Sequence, residues 1–302
     1  MSKLPSDLAQ QVATALAEDI GSGDITAELV PAAQQVTGKV ITREDAILCG
    51  RPWVVEVFRQ LDPSVQLKWH ADDGDRVTAN QTLFDIAGLA RPVLTGERNA
   101  LNFLQLLSAT ATATRGYVDA IAGTSAAILD TRKTIPGLRT AQKYAVLCGG
   151  GQIYRIGLFD QVLIKENHVA VAGSLTAAIE AGRRVAGSRK VEVEVETPQE
   201  FAEALRAAPD IIMLDDFGLD DMRAAVALNN ENGRRVTLEA SGMVTLANSA
   251  RSRKPASITS PSAESPNTSA PWTSQCAWHS TKNKCLGSAV SFMKALNVDL
   301  PY

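Results

Sequence analysis

Residues 191–196 read Val-Glu-Val-Glu-Val-Glu (VEVEVE), and this stretch decides between the α/β architectures open to the chain. Strict alternation puts the three valines on one face of a strand and Glu192, Glu194 and Glu196 on the other. In an open sheet covered by helices on both faces, three carboxylates would be buried at a large cost in free energy. In a barrel they can point into the interior near the rim, where cations such as Lys133 and Lys165 can pair with them. The pattern therefore favours a barrel, with a solvated edge strand as the alternative.

Strand-like and helix-like segments alternate on both sides of this stretch. The predicted strands are 126–132, 160–166, 190–196, 210–216 and 235–241, and the predicted helices are 138–148, 174–186, 198–208 and 219–230. Repeated βα units with apolar strands predict a parallel sheet covered by helices. Each strand ends in a charged or hydroxyl residue, which in an α/β barrel is the position of the catalytic rim. Five strands are too few to close such a barrel.

The N-terminal part of the chain has a different pattern. A helix is predicted over 8–18, short strands follow from Gly38 to about Ala87, and RPWVVEVFRQL (51–61) predicts a helix among them. This is an α+β module of about eighty residues. A longer helix is predicted from Leu94, with Arg98 in its first turn. A cation there opposes the helix dipole, so we expect Arg98 to have a role outside the helix, against the alternative of an exposed arginine without function.

Residues 129–169 concentrate positive charge in an acidic protein. This stretch holds six basic and three acidic residues, although the whole chain has a formal net charge of −3. Because the charges follow strand-like apolar runs, they indicate a site for an anionic small molecule rather than a solvated salt-bridged surface.

Composition restricts the class of protein. A hydrophobic content of 45% and a charged content of 21% are typical of a globular protein, and no apolar run is long enough to cross a bilayer. The four cysteines have neither metal-ligand spacing nor the spacing of a disulfide framework, which favours a reduced, cytoplasmic protein. The pI near 5.7 argues against nucleic acid as a partner, and we expect no membrane partner.

Residues 249–302 do not continue the pattern. They are rich in Ser, Pro and Thr and have neither helical nor strand periodicity, as in a disordered extension. Read one frame over with GC-rich codons, Ser249–Ala263 gives RAIAETGVDYISVG, a helix end followed by a strand and a glycine. We interpret the tail as an out-of-frame segment that replaces the last βα unit. The expected organisation is an N-terminal domain over 1–110, a barrel domain over 111–248 and an aberrant tail over 249–302.

Several motifs, in this order and with this spacing, resemble quinolinate phosphoribosyltransferase, the decarboxylating nicotinate-nucleotide pyrophosphorylase family of NAD synthesis. They are EDIGSGDIT, GERNALNFLQ, LDTRKTIPGLR, KYAV followed by GGG, GLFDQVLIKENHV, VEVEVE, IIMLDDF and EASG, between about Leu8 and Leu246. The resemblance implies an N-terminal α+β domain and an incomplete, seven-stranded α/β barrel. It also implies a head-to-tail homodimer and a reaction, with magnesium, that joins quinolinate to phosphoribosyl pyrophosphate.

The resemblance also implies roles for individual residues. The catalytic residues are Lys133, Lys165, Glu194 and Asp215, and the last two face magnesium, with indirect contact. Quinolinate and phosphate are bound by Arg98 (donated across the dimer), Arg132, Arg139, Tyr154, Arg155, His168, Ser241 and Gly242. Arginine suits quinolinate because its planar guanidinium binds carboxylates in a bidentate manner.

Two departures from the family pattern lead to alternatives. Ile153-Tyr154-Arg155 stands where the family usually has Asn-His-Arg, and the tail lacks the family's final strand and glycine. One alternative is a related phosphoribosyltransferase of the molybdate-transport-associated type, which would keep the phosphate residues and change the acid pocket. Another is a non-catalytic relative that keeps the anion site.

Overall fold

The computed structural model describes residues 4–233, 236–242, 258–259 and 297–299. It divides into two compact units. Unit 1 contains the described residues up to Arg115 together with Ile135–Gly150 and residues 297–299, and unit 2 contains Gly116–Thr134 and the described residues from Gly151 to Thr259. The sequence-based boundary near residue 110 differs from this division in that residues 135–150 group with unit 1.

Unit 1 is an α+β fold. Its helices are α1 (Leu8–Ile20), α2 (Arg51–Leu61), most of α3 (Ala90–Ala120) and α4 (Arg139–Cys148), with a 3₁₀ helix at Ala27–Leu29. Its strands are β1 (Gln35–Ile41), β2 (Ala46–Ile47), β3 (Gln66–Trp69), β4 (Arg76–Val77), β5 (Thr82–Leu89) and β11 (Asn297–Asp299). Four strands form a sheet in the order β11-β1-β5-β3, and β2 pairs with β4.

The core of unit 1 forms where the predicted apolar faces meet. In α2, Trp53, Val54, Val57 and Phe58 are buried, as their helical spacing predicts. Gly96 of α3 lies where a Cβ would come within 2.8 Å of the Phe58 ring, so its missing side chain allows two helices to pack closely.

The expected start of α3 is wrong. The helix begins at Ala90 instead of Leu94, so Arg98 is in its third turn and the argument from an unfavourable helix dipole does not hold. Pro92 did not end the helix because proline is tolerated within a first turn, where the N–H groups have no intrahelical acceptor.

Unit 2 contains a parallel five-stranded sheet. Its strands are β6 (Val162–Ile164), β7 (Val191–Val195), β8 (Ile211–Asp215), β9 (Thr237–Ser241) and β10 (Ile258–Thr259), in the order β10-β9-β8-β7-β6. Its complete helices are α5 (Glu166–Ala172), α6 (Leu175–Ala186), α7 (Pro198–Ala207) and α8 (Leu219–Glu231). The predicted α/β class with a parallel sheet is confirmed.

The alternation in β7 has the predicted consequence. Val191, Val193 and Val195 are buried in the same apolar cluster as Ile179 of α6 and Phe201 of α7. The glutamates therefore occupy the opposite face of the sheet. Because β7 is hydrogen-bonded to β6 and β8 on its two sides, it is not an edge strand, which rules out the solvated-edge alternative.

One predicted strand is wrong and one helix was not predicted. Residues 126–132 do not form a strand, and their described pairing is an isolated parallel bridge between Leu129 and Gln152. The chain also turns directly from β6 into α5, where Lys165 is the N-cap and its backbone N–H donates to Nδ1 of His168. The residues interpreted as the out-of-frame tail lie largely outside the described residues.

Candidate active site

The carboxyl ends of neighbouring parallel strands carry the predicted site residues of unit 2. Glu194 is near the end of β7, Asp215 ends β8 and Ser241 ends β9. Asp215 and Ser241 are direct partners in the β8–β9 register, and Lys165 follows β6 at the same end of the sheet. Parallel strands bring such residues together because all of their carboxyl ends share one edge.

An ion pair joins the first two of these strands. Lys165 Nζ lies 2.5 Å from Glu194 Oε2, and the lysine side chain is 46% exposed whereas that of Glu194 is 9% exposed. The backbone N–H of Lys165 also donates to Nδ1 of His168 at 3.0 Å. The structure therefore brings Lys165, His168 and Glu194 together.

Glu194 of this ion pair also belongs to a group of three carboxylates that could hold a cation. Single oxygens of Glu166, Glu194 and Glu196 all lie within 4.8 Å of one another. Asp215, which we had expected to share this role with Glu194, is not part of the group. Carboxylate oxygens are the donors that magnesium prefers, so the donor set fits that ion.

A buried acidic network lies beneath the rim. Glu192 and Glu239 are both 0% exposed. Tyr154 donates its hydroxyl to Glu192 Oε2, Gln161 Nε2 donates to the same oxygen at 2.6 Å, and Gln161 also donates to the Tyr154 hydroxyl. Burial raises the pKa of Glu192 well above its ordinary value, and the charge and hydrogen bond of Glu239 raise it further. Burial and the neighbouring carboxylate therefore favour the protonated form of Glu192.

The loop that carries Tyr154 is fixed by backbone hydrogen bonds. The N–H of Tyr154 donates to Asp130 Oδ1 at 2.8 Å, and Asp160 accepts from the N–H groups of Ile156 and Gly157 at 2.7 and 3.1 Å. The buried Arg155 donates from Nε to the carbonyl oxygen of Gly157 at 2.8 Å. These contacts give Tyr154 and Arg155 defined positions before any ligand binds.

Two predicted arginines act on one another electrostatically. Burial lowers the pKa of Arg155, the like charge of Arg132 lowers it further, and Asp160 opposes both effects. Arg132 and Lys133 are exposed. A pair of neighbouring guanidinium groups, one buried and one exposed, is suited to bind an anion with two carboxylates because the anion relieves their mutual repulsion.

Backbone geometry restricts the end of β9. Gly242 has φ +118°, and a Cβ on it would come within 3.0 Å of the backbone N and Cα of Asp216. Asp216 itself has φ +52° and donates its N–H to the carbonyl oxygen of Ser241 at 3.1 Å. Only glycine fits at position 242, because Asp216 occupies the space that a side chain there would need.

Two predicted site residues belong to unit 1. Arg139 begins α4, and Arg98 lines a cavity of about 270 Å³ with a set of residues from the α1–3₁₀ connection and from α3. The other lining residues are Asp19, Ile20, Gly23, Asp24, Ile25, Leu94 and Thr95. Asp24 accepts hydrogen bonds from the Thr95 hydroxyl and from the N–H groups of Thr26 and Ala27, which together lower its pKa.

Three residues near the predicted site were not predicted as site residues: Gln161 and Glu239 in the buried network around Glu192, and Glu166 in the carboxylate group with Glu194 and Glu196. For Glu239 a usable signal was present, since alternation in Thr237–Ser241 puts it on the same face as Ser241. For Gln161 and Glu166 no pattern in the sequence distinguished them from other polar residues beside a strand.

Comparisons with known proteins agree with one another. Residues 24–108 match the family described as "Quinolinate phosphoribosyl transferase, N-terminal domain", and residues 110–270 match the corresponding C-terminal domain. The chain is 41% identical over 234 residues to a probable nicotinate-nucleotide pyrophosphorylase [carboxylating] of Synechocystis sp., covering 77% of this chain and 79% of the relative. It is 40% identical over 240 residues to the enzyme of that name from Mycobacterium leprae, covering 78% and 84%.

Solved structures give the same result. The structure of the nicotinate-nucleotide pyrophosphorylase from Francisella tularensis superposes with a TM-score of 0.81 and 38% identity, covering 98% of this chain and 96% of that one. The corresponding structure from Ehrlichia chaffeensis superposes with a TM-score of 0.81 and 35% identity, covering 89% and 96%.

Proposed function

Because the chain belongs to the quinolinate phosphoribosyltransferase family, we propose that it transfers the phosphoribosyl group of phosphoribosyl pyrophosphate to quinolinate. The products are nicotinate mononucleotide, carbon dioxide and pyrophosphate, in the de novo synthesis of NAD. The main support for the proposal is the ion pair between Lys165 and Glu194. It lies at the carboxyl edge of the sheet, where Asp215 and Ser241 end the neighbouring strands.

Quinolinate binding is assigned to the basic residues on the loops of unit 2. Arg155 and Arg132 bind the two carboxylates, and Lys133 and His168 add positive charge and a hydrogen bond. Tyr154 lines the same loop. Its hydroxyl is hydrogen-bonded to Glu192 and Gln161, so Tyr154 contributes to the shape of the pocket and adds no positive charge.

The transfer step requires stabilisation of a positive ribose carbon. The ring nitrogen of quinolinate forms a bond to C1 of the ribose as the bond from C1 to pyrophosphate breaks. Glu194 and Asp215 stabilise the oxocarbenium-like centre. The positive charge of Lys165 stabilises the negative charge that develops on the departing pyrophosphate. The bond from C2 of the ring to its carboxylate then breaks, and the electron pair left at C2 is stabilised by the positive ring nitrogen until a proton arrives.

Phosphate binding is assigned to Ser241 and Gly242. Their backbone N–H groups, at the carboxyl end of β9, suit the 5′-phosphate. Arg139 is assigned to phosphate charge as well, from α4.

Magnesium is proposed as the metal. When bound it neutralises pyrophosphate charge, and Glu194 with Glu166 and Glu196 would hold it or its water molecules, with Asp215 as a further carboxylate. The support is the hard-oxygen character of this donor set.

We also propose a cytoplasmic homodimer in which Arg98 of one subunit completes the site of the other. Leu158 and Phe159 of unit 2 are 73% and 70% exposed, and adjacent large apolar side chains of this kind favour burial against another protein surface. Among the described residues, no helix has the length and apolar content needed to cross a bilayer.

Incubation of the purified protein with quinolinate, phosphoribosyl pyrophosphate and magnesium tests the function. We expect nicotinate mononucleotide, carbon dioxide and pyrophosphate in equal amounts. Turnover of nicotinate or another aromatic acid in place of quinolinate would instead indicate the related phosphoribosyltransferase. A ligand-induced rise in Tm without any product would indicate the non-catalytic relative.

A further inference from the structure

Two thiols and a carboxylate that have no part in the proposed reaction meet inside unit 1. The Sγ atoms of Cys49 and Cys148 and a carboxylate oxygen of Asp73 all lie within 4.8 Å of one another. Cys49 immediately precedes the N-cap of α2, Asp73 lies between β3 and β4, and Cys148 is the last residue of α4. We infer that this cluster binds a thiophilic divalent cation of the zinc class.

The donor set selects the class of ion. Thiolate sulfur with carboxylate oxygen suits zinc, whereas magnesium prefers oxygen alone. Zinc–sulfur bonds of about 2.3 Å in a tetrahedron place two sulfurs about 3.8 Å apart, so the two sulfurs need to approach one another by about 1 Å at most. Cys49 is fully buried and Cys148 is half-buried, so water can reach the ion from the side of Cys148 and complete its coordination.

The orientation of the carboxylate is already fixed. Asp73 Oδ1 accepts from the backbone N–H groups of Gly50 and Arg51, at 3.0 Å each, and Oδ2 accepts from the Tyr144 hydroxyl at 2.9 Å. Hydrogen bonds that orient a ligating carboxylate are a regular feature of metal sites. Oδ2 accepts one hydrogen bond and therefore retains a further lone pair for a metal.

A disulfide between the same two cysteines is the competing explanation. Cys49 and Cys148 are both free thiols. A disulfide would join the two sulfurs alone, whereas a cation would also use the carboxylate of Asp73 and stabilise both thiolates together with it.

The bound ion would join three segments that are distant in the sequence. It would fix the C-terminal end of α4, after which the chain passes through Gly149–Gly151 to Tyr154 and Arg155. Its role is therefore structural, and it does not depend on the proposed reaction.

Cobalt binding tests the site. A Cys276→Ser/Cys285→Ser variant of the full chain serves as background because it removes the cysteines outside the described residues. Titration of the reduced, metal-free protein with Co²⁺ is expected to give one ion per chain. Thiolate-to-cobalt charge-transfer absorption and the visible bands of tetrahedral cobalt should appear together.

Ligand variants locate the ion. Adding Cys148→Ser should abolish the charge-transfer absorption or weaken binding by more than about tenfold, and Asp73→Asn should weaken it by at least about tenfold. Near-ultraviolet circular dichroism shows whether each variant is folded. In the background variant zinc should raise the Tm and a chelator should reverse the rise.

Three results would overturn the inference. The first is a folded background protein that gives no charge-transfer absorption. The second is cobalt absorption unchanged by Cys148→Ser, or free of a sulfur contribution, as expected for binding at Glu166, Glu194 and Glu196. The third is a thiol count that falls to zero in air without bound metal, which would indicate a disulfide. None of these results depends on transferase activity.

Discussion

Lys165 Nζ lies 2.5 Å from Oε2 of Glu194, so two adjacent parallel strands are joined by an ion pair at their carboxyl ends. The glutamate is nearly buried and the lysine is half-exposed. The lysine can therefore turn to a bound phosphate, while the carboxylate remains aimed at the space above the sheet.

Lys165→Ala should lower kcat/KM for nicotinate mononucleotide formation by about 100-fold or more, since it removes a cation from the departing pyrophosphate. Lys165→Arg should retain part of the activity because it keeps the charge. Lys190→Ala, which changes an exposed lysine just before β7, is the matched control and should leave the rate unchanged. Equal rates for Lys165→Ala and Lys190→Ala would contradict the role of Lys165.

Tyr154 is expected to affect both the free energy of unfolding and the KM for quinolinate. Tyr154→Phe removes two hydrogen bonds of the buried network and should lower the free energy of unfolding by about 1–2 kcal/mol, measured by urea denaturation. Tyr154→His adds a group that can carry positive charge, so the KM for quinolinate should fall while that for phosphoribosyl pyrophosphate stays constant. A fall in both KM values would show that position 154 does not act through quinolinate.

The Glu192–Glu239 pair should make stability depend on pH. Its raised pKa means that the folded state holds a proton which the unfolded chain releases once the pH exceeds the ordinary value of 4.5. The contribution to stability is therefore full below that pH and is lost as the pH rises through the folded pKa. Urea unfolding from pH 5 upward measures it.

Glu192→Gln should raise stability at neutral and alkaline pH and flatten the dependence, because the amide imitates the protonated carboxyl. Glu196→Gln is the control, since Glu196 is exposed and follows the same strand. Identical pH profiles for the two variants would argue against a shared buried proton.

Subunit mixing tests the proposed origin of Arg98. Arg98→Ala and Lys165→Ala should each be inactive alone. Dimers formed from an equal mixture should recover about a quarter of wild-type activity, since half of them are mixed and each mixed dimer has one intact site. If no activity returns although mixed dimers form, Arg98 acts within its own subunit.

The reading frame makes a further prediction. Resequencing the codons of Val244–Arg253 should reveal a frame change near Asn248, and the frame-corrected protein should be active whereas the 302-residue chain is weak or inactive. An uninterrupted frame, or equal rates from the two proteins, would contradict the interpretation of the tail.

The strand pattern of unit 2 could be predicted where burial and pairing agree. Alternation in 191–196 was sufficient to predict β7, because its valines pack against α6 and α7. Residues 126–132 begin with an apolar run that is also typical of a buried strand, yet Leu129 makes a single bridge to Gln152. Whether an apolar run becomes a strand depends on a partner supplied from elsewhere in the chain, and that information is not local.

The candidate site, like the strand pattern, could be predicted from the sequence in part. The pairing of Lys165 with Glu194 follows from charge at the ends of neighbouring strands. The hydrogen bonds of Gln161 and the proximity of Glu192 to Glu239 depend on strand order and side-chain direction, which single-sequence patterns do not specify. The role of Gly96 is not local either, since it depends on the close approach of Phe58 from another helix.

Gly242 and Asp216 show how the ends of β8 and β9 depend on one another. The left-handed backbone of Asp216 occupies the space that a side chain at position 242 would need, and its N–H is bonded to Ser241. A substitution at either position changes what the other can tolerate, so their effects should be non-additive in a double-mutant cycle. Positions 216 and 242 are therefore expected to change together in evolution, so that the ends of β8 and β9 are inherited together.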